Sequence, residues 1–295
     1  MITRNNITEV AYDIRTTVDD KHNLPFDSHV TNTNDAKAMG NMLQRAETIL
    51  GTNDFTALYD KGYHTGSEFQ KADEMGIEVL VAIPSVAANA PTPEYNVEKS
   101  KFDKSTDCYT CPQGEILTTN GRWHQAKTYR FKRYTTSACK TCPAKPECSK
   151  AICGKAIQRS EYQELVDDNK KRINDNKELY RKRQQIVEHP YGTIKRQWGF
   201  NYIITKKGIN RASADVGFIT TAYNFRRIIN IVGLKILKEY LEAVISFILE
   251  NMSLLKLRLS DISDFEYQLK RKKTVLFKCL KQLYLIRKLT AETSF

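Results

Sequence analysis

Phe55-Thr56-Ala57-Leu58-Tyr59-Asp60-Lys61-Gly62-Tyr63 reads as a short apolar strand that delivers a carboxylate onto a glycine-containing turn. The residues beyond it complete the pattern. Ser67 to Met75 carries helical spacing, Gly76 is placed to close that helix, and Glu78-Val79-Leu80-Val81-Ala82-Ile83-Pro84 is a buried strand that proline ends. Strand, helix and strand in this order predict an α/β sheet. An aspartate at the carboxyl end of such a strand projects from the rim where α/β sheets hold ligands. Asp-Lys-Gly-Tyr alone equally fits an ordinary turn or N-cap.

Upstream, Val10 to Val18 and Leu24 to Val30 are β-rich, and Asp19-Asp20-Lys21-His22-Asn23 supplies a turn between them. Pro25 marks an edge or a bulge in the second strand. Asn32-Thr33-Asn34-Asp35 offers capping oxygens to a helix from about Ala36 to Leu50, with Met39, Met42, Leu43, Ala46, Ile49 and Leu50 on its apolar face. The hairpin extends the α/β order into a mixed sheet. Ala87 to Pro93 is a linker-like break, and residues 94–160 hold six of the seven cysteines with no clear long period. Ser160 to Val187 is polar and helical in pattern, Ala212 to Leu249 contains a strongly apolar helix, and Asn251 to Phe295 is rich in leucine and lysine, including the block Lys270 to Lys273. Four segments follow: 1–90, the first part of a sheet-based core; 91–160, a cysteine-rich insertion; 161–250, a helical second part of the core; and 251–295, a basic helical tail. No internal repeat is visible.

The chain has 295 residues and a formal charge of +12, unevenly spread. Residues 1–100 hold 8 Lys/Arg against 15 Asp/Glu, whereas residues 101–295 hold 38 against 19. A basic remainder of that size favours a phosphate-rich partner, nucleic acid ahead of an anionic membrane surface. The first residues lack an apolar signal region, which predicts a cytoplasmic protein. The apolar run Ile228 to Leu249 is broken by Asn230, Lys235, Lys238, Glu239 and Glu242, so it is not a membrane span. Cysteines in a cytoplasmic setting favour metal binding over disulfides.

A second carboxylate stands out in Tyr180-Arg181-Lys182-Arg183-Gln184-Gln185-Ile186-Val187-Glu188-His189-Pro190-Tyr191-Gly192-Thr193-Ile194-Lys195. Residues seven apart on a helix differ by roughly 20° in direction, so Arg181 is expected on the face of Glu188, with Gln184 near it. A plain helix ion pair would explain that arrangement as well as a site would. Pro190 removes an intrahelical hydrogen bond and predicts a kink or restart, which leaves the facing of Lys195 open.

Together these segments resemble the bacterial insertion-sequence transposases of the DDE type, in the subgroup with a cysteine-rich insertion between the second Asp and the Glu. The resemblance runs from about Tyr12 to Leu234. It rests on Tyr12 to Asp19, Val30-Thr31-Asn32, Asp60 to Tyr63, the Cys-Pro-x-Gly at Cys111 to Gly114, Glu188 to Lys195, and Ala222-Tyr223-Asn224-Phe225-Arg226-Arg227 as a final core helix. It implies an RNase H-like fold that cleaves and joins DNA with two divalent ions, Mg²⁺ or Mn²⁺, held about 4 Å apart by carboxylates. Asp60 would be the second family carboxylate and Glu188 the third, both catalytic and metal-binding. Lys195, Arg183, Tyr180 and Arg181 would contact DNA, although the family's arginine four residues before the glutamate is Gln184 here. The first carboxylate should sit on a strand preceding the hairpin, so the chain reads as N-terminally truncated, with Asp19 as a fallback ligand. Double-stranded DNA at transposon ends is the implied partner, bound by a homodimer. A non-catalytic DNA-binding remnant is the alternative.

Within the insertion, Cys108-x-x-Cys111 and Cys139-x-x-Cys142 form two knuckles, followed by Cys148 and Cys153. Such knuckles let thiolates converge tetrahedrally on zinc. Spacing alone favours Cys108, Cys111, Cys139 and Cys142. The resemblance favours Cys111, Cys139, Cys142 and Cys148, because Cys148 completes its Cys-x-x-Cys-Pro-x-x-x-x-Cys pattern. Reduced cysteines without metal are the simpler reading. Arg122, Lys127, Arg130, Lys132 and Arg133 are interleaved with Trp123, Tyr129, Phe131 and Tyr134, a mixture suited to phosphate contact and base stacking, or to a small core. His64, His124 and His189 read as packing or surface residues, and Cys279 as a helix residue of the tail.

Overall fold

The computed structural model describes residues 12–85, 90–201 and 208–254. Two compact units form, Met1–Arg227 and Ile228–Phe295. The tail expected from 255 onward, with Lys270 to Lys273 and Cys279, lies outside the described residues, as do Val10 and Ala11.

The first unit opens with the expected hairpin. Strand β1 (Asp13–Val18) pairs antiparallel with β2 (Pro25–Thr31) in a register from Asp13↔Thr31 to Thr17↔Asp27, and it slips at Val18↔Pro25. That irregularity sits where Pro25 has no N–H to offer the ladder. A single turn at Asp35–Lys37 precedes helix α1 (Met39–Leu50), which starts three residues later than expected because the polar Asn34–Asp35 stretch folds into that turn instead. Strand β3 (Thr56–Tyr59), helix α2 (Gly66–Glu74) and strand β4 (Glu78–Val81) follow, with β3 and β4 parallel from Thr56↔Glu78 to Tyr59↔Val81. The chain leaves α2 through Gly76, whose φ of 66° is left-handed and open to glycine, and the Ile77 amide donates back to the Ala72 carbonyl (3.0 Å). Met39, Met42, Leu43, Tyr59, Phe69, Ile77, Val79 and Val81 form one buried cluster between these helices and strands. Buried Glu68 locks it by accepting from the Gly40 amide (2.8 Å) at the start of α1 and from Lys71 (2.7 Å).

One expectation needs correcting here. Among the described residues the hairpin and the parallel pair are two separate two-stranded sheets and do not join into one mixed sheet. A cavity separates β1 from β3.

The insertion, without legible periodicity in sequence, is a five-stranded antiparallel sheet: β5 (Lys101–Asp103), β6 (Cys108–Thr110), β7 (Ile116–Gln125), β8 (Arg130–Thr135) and β9 (Ile157–Ser160), adjacent in that order. Its core is Tyr109, Leu117, Tyr134 and Ile157. Tyr134 is thereby assigned to packing, whereas Trp123 and Tyr129 are exposed.

The polar helical stretch divides at Asn176 into α4 (Gln163–Asp175) and α5 (Lys177–Tyr191). The long apolar stretch divides at Gly233 into α6 (Ile209–Val232) and α7 (Leu234–Leu254). In the second unit α7 exposes Leu234, Tyr240 and Val244, and no helix among the described residues is long and apolar enough to cross a membrane.

Helix α4 closes the outer edge of β4. Fully buried Asn169 accepts from the Val81 amide and donates to the Val81 carbonyl, both at 2.9 Å, and Arg172 donates to the Val79 carbonyl (3.3 Å). Leucine at 169 would strand both Val81 groups in the interior. Asn169→Leu is expected to lower stability by about 2–4 kcal/mol, read as a lower urea midpoint with an unchanged slope.

Candidate functional site

Asp60 follows the last residue of β3 and caps a single turn at Lys61–Tyr63, where its Oδ1 accepts from the Gly62 amide (2.8 Å). The turn reading of Asp60 therefore holds for one oxygen. A second carboxylate lies close by. A Cβ built on Gly62 would stand 3.0 Å from Asp60 Oδ1 and 3.8 Å from Asp35 Oδ2, so both acids crowd the same glycine. Asp13, the first residue of β1, completes an acidic rim that the sequence reading did not single out. Arg15 organises it: buried, its Nε donates to Asp35 Oδ1 (2.9 Å) and approaches Asp13 Oδ2 (3.3 Å), while Nη2 donates to the carbonyls of Thr33 (2.8 Å) and Asn34 (2.6 Å). Burial, and then the hydrogen bond and charge of Asp35, push Asp13 up to about 6 against the opposing pull of Arg15. Burial likewise raises the Tyr63 phenol, with Asp35 adding to it.

The helix that carries Glu188 is anchored at three points. The Tyr180 hydroxyl donates to the carbonyl of Tyr59, the residue before Asp60 (2.9 Å). Near the other end, the Tyr191 and Thr16 hydroxyls share a 2.7 Å hydrogen bond that ties α5 to β1. Between them, Asn23 Nδ2 donates to the Ile186 carbonyl (3.3 Å). Ile186 is four residues before Pro190, so this is the carbonyl that a helical N–H at position 190 would have satisfied. α5 runs through Pro190 to Tyr191 without a break and continues into a π-helical turn, Gly192–Gln197.

Along this helix the predicted residues separate. Glu188 Oε1 accepts from Gln184 Nε2 (2.8 Å), so the partner is the residue four positions back. Arg181, expected on the Glu188 face, bonds Glu178 instead (2.9 Å, i,i+3), a pair exposed to solvent. Arg183 lies with its guanidinium carbon 5.8 Å from the Tyr180 ring centre, and Lys195 Nζ is 4.8 Å from that of Tyr191. Asp19 is a turn residue: its two oxygens accept from the amides of His22 and Leu24.

The Tyr223-Asn224-x-x-Arg227 part of the final-helix motif clasps the hairpin turn. Tyr223 Oη donates to the Asn23 carbonyl (3.0 Å), Asn224 Nδ2 to that of Pro25 (2.8 Å), and Arg227 Nε to that of His22 (2.7 Å). With the Tyr223 proton used on a carbonyl, the 2.7 Å contact to His189 Nδ1 makes that nitrogen the donor. His64 packs edge-on against Phe69 and His124 stacks on Phe131, as packing residues do.

In the insertion, Cys111, Cys139, Cys142 and Cys148 line one small cavity of about 20 Å³. Burial raises the Cys148 thiol, Lys155 opposes, and the other three thiols add to the rise. Cys108 points elsewhere, its thiol donating to the Thr106 carbonyl (3.2 Å), and Cys153 is exposed. Gly154 permits the close packing, since a Cβ there would fall 2.2 Å from Cys139 Cβ. Among the described residues, however, no group of three or more His, Cys, Asp or Glu is disposed to hold a metal ion as it stands.

Comparison with protein families finds one described as Transposase DDE domain, matching residues 110–229. That stretch runs from the cysteine-bearing sheet through α5 into α6. It contains Glu188 and Lys195 and leaves Asp60 outside. It supports a DDE-type transposase, a family that acts on DNA and generally uses divalent metal ions. No curated protein and no solved structure matches the chain.

The Asp13 shift has a sign. A carboxyl whose folded pKa lies above its unfolded value of about 4 holds its proton longer in the folded state, so stability falls as pH rises from about 4 to about 6. Urea unfolding across that window is expected to show the decline, and Asp13→Asn to flatten it.

Proposed function

We propose that this chain is the catalytic-core portion of a DDE-type insertion-sequence transposase, performing metal-dependent cleavage and strand transfer of double-stranded DNA at transposon ends. The observation that carries the reading is the Transposase DDE domain match, because it spans Glu188 and the helix on which Glu188 sits. Asp60 and Glu188 offer the hard carboxylate oxygens that Mg²⁺ and Mn²⁺ prefer. A bound divalent ion would supply Lewis-acid activation of the attacking and leaving oxygens. Tyr180 positions the pair, since its hydroxyl ties α5 to the residue preceding Asp60. Lys195, Arg183 and Arg181 supply cations for the phosphate backbone, and Tyr180 reaches DNA beside Arg183. The β7–β8 ribbon is the second DNA surface: exposed Trp123 lies 5.6 Å from the Arg130 guanidinium and 5.5 Å from Lys132 Nζ. A two-stranded ribbon fits the major groove. Cys111, Cys139, Cys142 and Cys148 hold a structural zinc, a set supported by their common cavity and by the separate direction of Cys108. The working complex on DNA is a homodimer of an RNase H-like core.

A second reading has its own support. Arg15 engages both Asp13 and Asp35 at the acidic rim, which favours a non-catalytic, zinc-containing DNA-binding remnant.

Labelled end-sequence duplex DNA with Mn²⁺ separates the two. Catalysis is expected to give nicked and joined products that Asp60→Ala and Glu188→Ala each reduce by about 100-fold or more, with DNA binding retained. Binding without cleavage by the wild-type chain would establish the remnant, and cleavage undiminished in both variants would remove Asp60 and Glu188 from the chemistry.

Zinc is tested separately by metal analysis of the reduced chain. About one zinc per chain is expected, kept by Cys108→Ser and lost by Cys142→Ser or Cys148→Ser. Loss in Cys108→Ser with retention in Cys148→Ser would select the other ligand set.

A further inference from the structure

Lys155 is a lysine inside the protein. It is 7% exposed, and its ammonium donates to the Tyr95 carbonyl. It lines the small cavity on which Cys111, Cys139, Cys142 and Cys148 converge. Burial lowers the ammonium, while Cys148, Cys111 and Cys139 raise it, and no carboxylate among the described residues does so. Three of the four sulfurs therefore lie within its electrostatic reach. Of the other charged groups around the cavity, Lys145 donates to the Ile152 carbonyl (2.7 Å) and Glu115 is exposed. A cation taken out of water without a counter-charge is strongly destabilising, and one carbonyl does not offset it. Four neutral thiols do not supply the missing charge either. Four thiolates around a zinc ion do, because they bring two more negative charges than the ion neutralises.

We propose that Lys155 is the counter-ion of a zinc tetrathiolate: its ammonium offsets the excess negative charge of the four cysteines and couples the metal to the two ends of the insertion. This rests on the zinc reading given above. The coupling is built into the chain. Tyr95, whose carbonyl Lys155 holds, lies where the insertion begins, and Lys155 stands two residues before β9, its last strand. The entry segment leans on the cysteine loops twice more. The Thr92 amide donates to the carbonyl of Glu147, the residue before Cys148 (3.0 Å), and Gln113, two residues after Cys111, donates to the Tyr95 hydroxyl (2.8 Å). Gly154, packed against Cys139, brings position 155 close to the sulfurs. Charge and hydrogen bond have different consequences. A lysine that served only the Tyr95 carbonyl would stabilise the chain with or without metal. A counter-ion stabilises the loaded protein and burdens the empty one, where its charge is buried unmatched.

The test uses the full reduced chain, loaded with zinc or stripped by a chelator, as wild type, Lys155→Met, Lys155→Gln and Lys155→Arg. Zinc affinity is read by competition with a chromophoric chelator, and thermal unfolding by circular dichroism. Lys155→Met, close to lysine in length but neutral, is expected to bind zinc about 10- to 100-fold more weakly. Lys155→Gln, which keeps a donor for Tyr95 without the charge, is expected to follow it, and supplies the comparison where methionine prevents folding. Lys155→Arg, which keeps the charge, is expected to recover most of the loss. The melting temperature of the neutral variants is expected below wild type with zinc and at or above it without. Zinc affinity equal to wild type in either neutral variant, or a melting temperature lowered as much without zinc as with it, would overturn the proposal and leave the zinc reading standing. A wild-type chain that binds no zinc would overturn both.

Discussion

The position of the Glu188 helix depends on the carbonyl of Ile186, which Pro190 deprives of its helical donor and Asn23 supplies with another. Asn23 can do so because it occupies the left-handed region (φ 57°) in the hairpin turn, a conformation asparagine adopts more readily than most residues. The same residue offers its own carbonyl to Tyr223, which in turn receives a hydrogen bond from His189, one position before the proline. Turn, α5 and α6 thus form a closed circuit of hydrogen bonds around one missing N–H. A buried carbonyl left unmatched costs about 1–3 kcal/mol, enough to make this circuit, and not apolar contact alone, what fixes the register of α5 against the hairpin.

The same requirement recurs at other places where a helix meets a strand or a turn in this unit. Asn169 and Arg172 answer backbone groups of β4, Tyr180 answers Tyr59, and Asn224 and Arg227 answer the hairpin turn. Polar side chains from helices cap strand ends and edges, and the apolar cluster around Leu43 and Phe69 fills the space behind them. Specificity comes from the first set, because each such bond has a single acceptor and a fixed length, whereas apolar packing tolerates small shifts.

How much of this could be read from the sequence follows from where the signal is local. The hairpin, α1, β3, α2 and β4 were legible because each carries its own period and its own stop signal, down to Gly76 and Pro25. The five-stranded sheet was not: β5 and β6 are three residues each, too short for alternation to register, and β7 is nearly all exposed, so burial left no pattern. Asp60 and Glu188 were found through the motifs around them. Asp13 and Asp35 were missed because their proximity is created by Arg15 and by the fold of the Asp35 turn, over a separation of 22 residues that no helical or strand spacing reports. Arg181 was placed by ideal helix angle. It follows Glu178 because a solvent-exposed pair at i,i+3 is within reach, while Gln184 is already bonded to Glu188.

The charge polarity of the chain acquires a local meaning at the rim. The acidic first hundred residues contribute Asp13, Asp35 and Asp60 to one edge, and the basic remainder contributes Lys182 and Arg183 to the wall of the same cavity as Asp60. A phosphate approaching Asp60 meets repulsion unless positive charge lies within a screening length of about 8–10 Å. Arg15 cannot provide it, being buried and engaged by two carboxylates and two carbonyls. The cations of α5 can. Together with exposed Lys61 beside Asp60, these cations give an approaching phosphate a positive path, and the hydrogen bond from Tyr180 to Tyr59 ties the helix that carries Lys182 and Arg183 to the end of β3.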